Sequence, residues 1–462
     1  MKKQVYFNPK KPFKVNIKTE NKTIKQDSYA ALNPGYIKSD IKVSVGILVS
    51  NHIKYIRKGL ESIKPLLDSV PSELIVVDTV GEENSDGSLA VAHEFTDKVY
   101  HFDWINDFSA ARNELLKHSR GEWFLYFDDD EYFDDVTEFI EFFRSGECDK
   151  YGSGIYYTGD YTEPDKFYKS VALRMVRRLP DTHFEGRIHE CFNEAFHPAK
   201  EFKVFTHHFG YLYETLEQRQ LKDKRNTDLL YAELNEKGPN ARLCAQIIQQ
   251  MSGADTDSAI KKSWEFAEVL KEKGEIMNPA AQWVLLTEIK EISENGTFSE
   301  IIDAEQKILN LSKITETTEA VIDNLVAIKA YNENRYDIAY ERVKRFLTLV
   351  DFLNSHPYEK MGQLQFDFSA FLTEHGLSSM IITGAQSAYF LQKYEEAYEI
   401  LKRLDVNYCE NIRDVRKLAI KILTKNPDPI PLIEYYKHFY KDEFFTDPEL
   451  KKYLPENVRN RV

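Results

Sequence analysis

The stretch Trp123 to Glu131, Trp-Phe-Leu-Tyr-Phe-Asp-Asp-Asp-Glu, constrains this chain more than any other. Five apolar or aromatic residues run straight into four acids. The continuous apolar run predicts a short strand covered on both faces. Four consecutive carboxylates cannot follow it into the core, because each unpaired buried charge is costly. They belong at the strand's end, in water, beside cations or on a metal. The carboxyl end of a strand in an open α/β sheet is where ligands bind. Hard divalent cations take oxygen ligands there, Mg²⁺ with one or two carboxylates plus substrate phosphates. A solvated acidic turn is the plain alternative. The buried strand before the acids tips the reading toward a metal–diphosphate site.

The upstream pattern supports that reading. Ile41 to Ser50 is a β-branched strand, followed by the polar turn Ser50-Asn51-His52. Ile56, Leu60, Ile63 and Leu67 then recur at helical spacing. Leu74 to Val77 predicts a second strand ending at Asp78. A turn over Gly81 to Gly87 leads to a helix around Ser88 to Phe95. A short strand near Val99 to Phe102 and a helix over Phe108 to His118 precede the Trp123 strand. Strand and helix in alternation predict a parallel α/β sheet. After Asp134 come a helix over Val136 to Phe143 and β-like pieces at Ser153 to Tyr157 and Val171 to Val176. From Leu216 onward the chain reads as helices.

That helical half carries a faint repeat. Ala330, Tyr331, Tyr336, Ala339 and Tyr340 match Ala388, Tyr389, Tyr394, Ala397 and Tyr398 position for position. Phe298 and Ile301 take the Tyr336 and Ala339 places of an earlier unit. Tetratricopeptide-like helical hairpins and an ordinary helical bundle both fit this pattern.

The 462 residues predict two or three domains. A formal net charge of −14 without a basic block argues against nucleic-acid or anionic-membrane binding. Cys148, Cys191, Cys244 and Cys409 form no CxxC pair, so neither a zinc site nor a disulfide scaffold is indicated. The N-terminus lacks an apolar signal core, and the Val43 to Val49 run is too short to span a bilayer. The expectation is a soluble cytoplasmic protein.

Taken together, the first strand with Asn51, the second ending in Asp78, Phe108-Ser109-Ala110-Ala111-Arg112-Asn113, and Phe127-Asp128-Asp129-Asp130-Glu131 resemble glycosyltransferase family 2. Phe184-Glu185-Gly186-Arg187-Ile188-His189-Glu190 and His207-His208-Phe209-Gly210-Tyr211 resemble it too. Within that family the chain looks like the glycocin peptide S-glycosyltransferases, which carry a tetratricopeptide-like helical tail. The resemblance implies an α/β GT-A nucleotide-sugar-binding domain followed by an all-α helical domain. The expected boundaries are an arm over 1–40, the GT-A domain over 41–215 and the helical domain over 216–462. The implied reaction is inverting, metal-dependent transfer of a hexose from a UDP-sugar, with UDP-glucose the named guess. The implied acceptor is a Cys or Ser side chain of a bacteriocin-type precursor peptide. A family relative that extends a polysaccharide or lipid-linked sugar is the alternative.

The resemblance also implies roles. Val49, Ser50 and Asn51 would offer backbone groups to uracil or ribose. Asp78 would accept from base or ribose, unless it caps a helix. Asp107 and Arg112 would lie near the diphosphate, unless Arg112 is a structural salt bridge. Asp128 would touch ribose or a metal-bound water, and Asp130 would ligate Mg²⁺ or Mn²⁺. Asp129 adds a charge between them at the nucleotide-sugar site. Glu190 fits the general base, with His189 its competitor. His208 would complete the metal shell, with His207 its competitor. Adjacent residues of an extended segment point to opposite faces, so at most one of the two reaches the ion. The expected partners are the UDP-sugar, an acceptor peptide and a second copy in a homodimer.

Overall fold

The computed structural model describes residues 35–194, 198–213, 215–253, 255–356, 371–372, 374–405, 412–423, 425 and 456. The expected N-terminal arm, for its residues 1–34, and most of the chain after 425 lie outside the described residues. The chain divides into two compact units, Met1–Lys222 and Asp223–Val462.

In the first unit β1 (Val43–Val49), β2 (Ser72–Asp78), β3 (Val99–His101) and β4 (Trp123–Asp128) run parallel. They are joined through α1 (Ile53–Ser69), α2 (Ser88–His93) and α3 (Phe108–His118). The apolar run of β4 is continuous because both of its faces are covered. Trp123, Leu125 and Phe127 pack with Ile56, Leu60 and Ile63 of α1 and with Phe139 and Phe142 of α4 (Thr137–Arg144). Phe124 and Tyr126 point the other way, onto Leu115 and Leu116 of α3. On α1, Leu66 is the fully buried fourth position, and the expected Leu67 packs half-buried against the same core.

The sheet then becomes mixed. It continues through β5 (Glu131–Phe133), β6 (Ser153–Glu163) and β7 (Lys166–Arg177). A separate ribbon, β8 (Phe184–Glu185) with β9 (Cys191–Phe192), precedes β10 (Ala199–His208). The strand order is β3-β2-β1-β4-β7-β6-β10-β5. The expected parallel order holds for β1 to β4, and the antiparallel pairs of β7 with β4 and β6 and of β5 with β10 make the whole a mixed, GT-A-like sheet. Strands β6 and β7 extend well past the expected 153–157 and 171–176. Their outer halves form an exposed hairpin whose mixed composition carries no burial pattern to read.

The helix α5 (Leu216–Lys237) crosses the boundary between the two units. It is followed by α6 (Ala241–Ser252), α7 (Thr256–Glu272), α8 (Pro279–Leu285), α9 (Thr287–Asn295) and α10 (Phe298–Leu311). Next come α11 (Glu316–Asn332), α12 (Tyr336–Ser355), α13 (Glu374–Phe390), α14 (Tyr394–Leu401) and α15 (Ile412–Leu423). The sequence repeat is also a backbone repeat. Asn334 and Gln392, at matching positions, both have φ of 61°. The Arg335 N–H donates to the Ala330 carbonyl at 2.8 Å, and the Lys393 N–H to the Ala388 carbonyl at 2.9 Å. Tyr331 meets Tyr336 edge-on at 5.7 Å, and Tyr389 meets Tyr394 at 5.6 Å. Ala330, Ala339, Ala388 and Ala397 are all fully buried at the helix crossings. No helix of the described residues is long and apolar enough to cross a membrane.

Candidate active site

The carboxyl ends of β1, β2 and β4 lie side by side, with Val49 opposite Asp78 and Leu48 opposite Asp128. Alternation along β4 places Asp128 on the Tyr126 face, toward α3. Arg112 projects from α3 and donates from Nη2 to Asp128 Oδ1 at 2.6 Å, and from Nε to Glu190 Oε1. Its guanidinium also lies 4.3 Å from the Tyr126 ring centroid. From β7, Arg174 donates to Asp128 Oδ2 at 2.9 Å and to Glu131 Oε1 at 3.1 Å. Burial alone would raise the Asp128 carboxyl, but the two arginines outweigh it and hold it well below its usual range. Glu131 is more deeply enclosed. Burial pushes it up to about 7, with Arg174 offsetting only part.

The motifs of α3 and of Phe184 to Glu190 are held together by hydrogen bonds. Asp107 caps α3, accepting from the Ala110 N–H at 2.9 Å and the Ser109 hydroxyl at 2.7 Å. Asn113 donates to the Phe184 carbonyl at 3.0 Å and accepts the Phe184 N–H at 2.7 Å. The neighbouring Arg112 reaches Glu190 at the far end of the β8–β9 turn. In that turn Gly186 has φ of 98° and His189 has φ of 51°, the left-handed region. His189 is exposed, whereas Glu190 is half-buried on Arg112.

The remaining acids separate sharply. Asp129 accepts the Ser50 N–H at 2.6 Å and pairs with His52 Nδ1 at 2.7 Å. The hydrogen bond from Asp129 raises the His52 imidazole to about 9. The charge that looked surplus in the sequence therefore ties the end of β1 to the acid turn. Asp130 is 7% exposed, and its Oδ1 finds no hydrogen-bond partner among the described residues. Burial raises its carboxyl, and Asp129 and Asp128 add to the effect.

His208 reaches Asp130 through sheet register. It pairs with Glu131 across β10–β5 and with Asp160 across β10–β6. Its Nε2 lies 3.7 Å from Asp130 Oδ1, and its Nδ1 is 2.6 Å from Asp160 Oδ1. Burial would lower this imidazole, but the Asp160 hydrogen bond and the surrounding acids raise it to about 9. His207 faces away, between Asp134 at 2.7 Å and the Tyr161 hydroxyl at 2.8 Å.

These residues fit a divalent cation. Asp128, Asp130 and His208 each offer a ligand atom, and all three atoms lie within 4.8 Å of one another. The orphaned Asp130 oxygen lacks the partner a cation would supply. A Cβ at Gly210 would stand 2.6 Å from His208 Nε2 and 2.7 Å from Asp130 Oδ2, so the gap stays open only for glycine. Carboxylates plus one imidazole suit Mn²⁺ or Mg²⁺. Both Asp128 oxygens are already engaged by arginines, which makes Asp130 and His208 the leading donors.

Residues 44–207 match the family model for glycosyl transferase family 2. Over this stretch the chain is similar to family 2 glycosyltransferases. The SPbeta prophage-derived glycosyltransferase SunS of Bacillus subtilis is 31% identical over 186 residues, covering 38% of this chain and 41% of the relative. A TPR repeat-containing protein of Synechococcus elongatus is 26% identical over 216 residues, covering 45% of this chain and 51% of the relative. The chain therefore spans about half the length, or less, of these curated relatives. S. aureus TarS 1-349 in complex with UDP-GlcNAc superposes with a TM-score of 0.31 at 14% identity, over 58% of this chain and 90% of that one.

Within residues 44–207, several expected nucleotide-site groups are engaged internally. The Val49 carbonyl accepts from the Thr79 N–H at 3.0 Å. Asn51 spans to the β2 loop, accepting the Asp86 N–H at 2.9 Å and donating to the Asn84 carbonyl at 3.2 Å. Asp78 accepts the Val80 N–H at 3.0 Å and the Gly81 N–H at 2.9 Å, and meets His101 Nδ1 at 2.8 Å. The site also contains residues the sequence reading passed over. Arg174 and Asp160 stand on β7 and β6, and only strand pairing reveals that they reach Asp128 and His208.

Proposed function

We propose that the protein is an inverting glycosyltransferase that moves a hexose from a UDP-sugar to a Cys or Ser side chain of a bacteriocin-type precursor peptide. The observation that carries this reading is the orphaned Asp130 oxygen beside His208, with Glu190 linked through Arg112 to Asp128 of the same acid turn. The uridine is taken to lie over the ends of β1 and β2, with Val49, Ser50, Asn51 and Asp78 at its rim. Asp130 and His208, with Asp128, would hold Mg²⁺ or Mn²⁺, which would supply positive charge beside the leaving diphosphate. Arg112 and Arg174 fix Asp128 and set the position of the acid turn.

Glu190 takes the proton from the acceptor thiol or hydroxyl as sulfur or oxygen attacks the anomeric carbon from the opposite side. The bond to the diphosphate oxygen breaks, and UDP leaves with its electron pair. Arg112 holds Glu190 Oε1, which leaves Oε2 to take the proton. The helical unit is assigned to acceptor-peptide recognition and to pairing with a second copy. Its faces of paired helices suit another chain.

The test is mass spectrometry of Cys- and Ser-containing peptides incubated with the full chain and a panel of UDP-sugars. Sugar should be added to peptide, and Glu190→Gln should slow the chemical step by roughly 10² to 10⁴. The loss should be smaller for Cys, whose thiolate forms partly unaided. Transfer only to saccharide acceptors would overturn the peptide reading. Full turnover of Glu190→Gln on both peptides would remove the base from Glu190.

A further inference from the structure

We propose that Asp160 is a positioning residue that presents His208 Nε2 to the cation, and that Ser170 sets Asp160 for that task. The inference rests on the metal reading above and adds residues to it. Three adjacent strands carry the chain of contacts. Ser170 on β7 donates its hydroxyl to Asp160 Oδ2 at 3.1 Å. Asp160 on β6 meets His208 Nδ1 with Oδ1 at 2.6 Å. His208 on β10, directly opposite Asp160 in the parallel register, turns its Nε2 toward Asp130.

An imidazole can bind a cation only through a nitrogen that carries a lone pair. In the neutral ring one nitrogen keeps its proton. A carboxylate on Nδ1 keeps the proton there and leaves Nε2 as the donor, while fixing the ring's rotation. The Tyr211 ring meets His208 edge-on at 5.3 Å, and Gly210 leaves no room for a side chain beside Nε2. The ring is thus packed against Tyr211, and Gly210 keeps the gap between Nε2 and Asp130 free of a side chain. Because Ser170 takes one Asp160 oxygen, the other is left for the imidazole.

The experiment uses the full chain and Mn²⁺ in the presence of UDP, read by calorimetry and by the electron paramagnetic resonance of free Mn²⁺. Asp160→Ala should weaken Mn²⁺ affinity by about 10- to 100-fold. Asp160→Asn keeps an acceptor oxygen but loses the charge, so it should retain most of the affinity. Ser170→Ala should give a smaller loss. A simple charge effect predicts equal losses for Asn and Ala, and that result overturns the proposal. So does wild-type Mn²⁺ affinity in Asp160→Ala when His208→Ala has lost it. If the wild-type protein itself takes up no Mn²⁺, or Asp130→Ala and His208→Ala leave its affinity unchanged, the metal reading fails, and the role of Asp160 with it. Thermal unfolding without metal serves as the control. Asp160→Asn should remain folded at the assay temperature there, so that a lost affinity cannot be a lost fold.

Discussion

The two units each bury a cluster of arginines and carboxylates, and the two clusters are completed differently. In the helical unit, Arg342 makes a two-pronged pair with Glu305 at 2.7 and 2.6 Å and also donates to Asp323 Oδ1 at 2.9 Å. Arg345 reaches Asp323 Oδ2 from Nε at 2.5 Å and Oδ1 from Nη2. Asp323 is fully buried, yet both of its oxygens are taken. In the sheet unit, Arg112 and Arg174 saturate Asp128, but Arg112 Nη1 and Asp130 Oδ1 stay buried without hydrogen-bond partners among the described residues, with His208 Nε2 3.7 Å from the latter. A cluster that closes on itself is a brace between α10, α11 and α12. A cluster that leaves an acid unmet at a strand's carboxyl end has room for a cation the chain does not itself supply. The difference separates structure from function more cleanly than charge content does.

The strongest way to break this contrast is Asp130→Ala. It should abolish transfer and weaken UDP binding in Mn²⁺, measured by product formation and calorimetry. It should leave thermal stability little changed, because it removes a buried acid whose Oδ1 has no hydrogen bond and only the distant His208 contact at 3.7 Å. A full-strength enzyme, or a variant that unfolds at lower temperature, would put Asp130 among the braces.

The opposite result is expected at Asp323. Asp323→Ala leaves Arg342 and Arg345 short of a partner in the interior. Breaking a buried pair in this way costs roughly 3–5 kcal/mol. Urea unfolding should show the helical transition move to lower denaturant, while UDP binding below that transition stays at the wild-type value. Unchanged helical stability would mean that the network is not a brace, and loss of UDP binding would end the clean division between the two clusters.

What was legible in the sequence follows from how local each signal is. The apolar run of β4 and the helix over Phe108 to His118 depend on neighbours a few residues away, and both appear as expected. The acid run was visible, but not its internal sorting. Asp129 and Asp130 are adjacent and identical in type, yet one is tied to Ser50 and His52 and the other is left open. That sorting depends on where β1 ends relative to the turn after β4, a contact about eighty residues long in the chain. Arg174 and Asp160 were invisible for the same reason. Strand β10 carries exposed Lys and Glu among its apolar residues and gave no warning that it would bring His208 opposite Glu131. Asp107, by contrast, had a local signal in its position just before a helix, and its capping role was there to be read.

The smallest effect sharpens the contrast inside the sheet unit itself. Glu73 stands at the opposite, amino end of the parallel strands, and it is as buried as the acids of the site. Its partners are complete: Ser44 Oγ at 2.6 Å, Lys98 Nζ at 2.5 Å and the Arg120 N–H at 2.6 Å. Burial alone would raise this carboxyl, but Lys98, Ser44 and Arg120 together draw it down from 4.5 to about 2. A carboxyl depressed on folding adds stability at pH values above its unfolded value, and that contribution is lost as pH falls through the folded one. Unfolding measured by denaturant across the acid range should therefore lose the Glu73 contribution progressively between about pH 4.5 and about 2. Glu73→Gln should be less stable than wild type at neutral pH, and the gap should narrow across that window. A gap that stays constant with pH would show that the Glu73 charge is immaterial to the fold. The closed pairing at this end of the sheet would then teach nothing about the open one at the other.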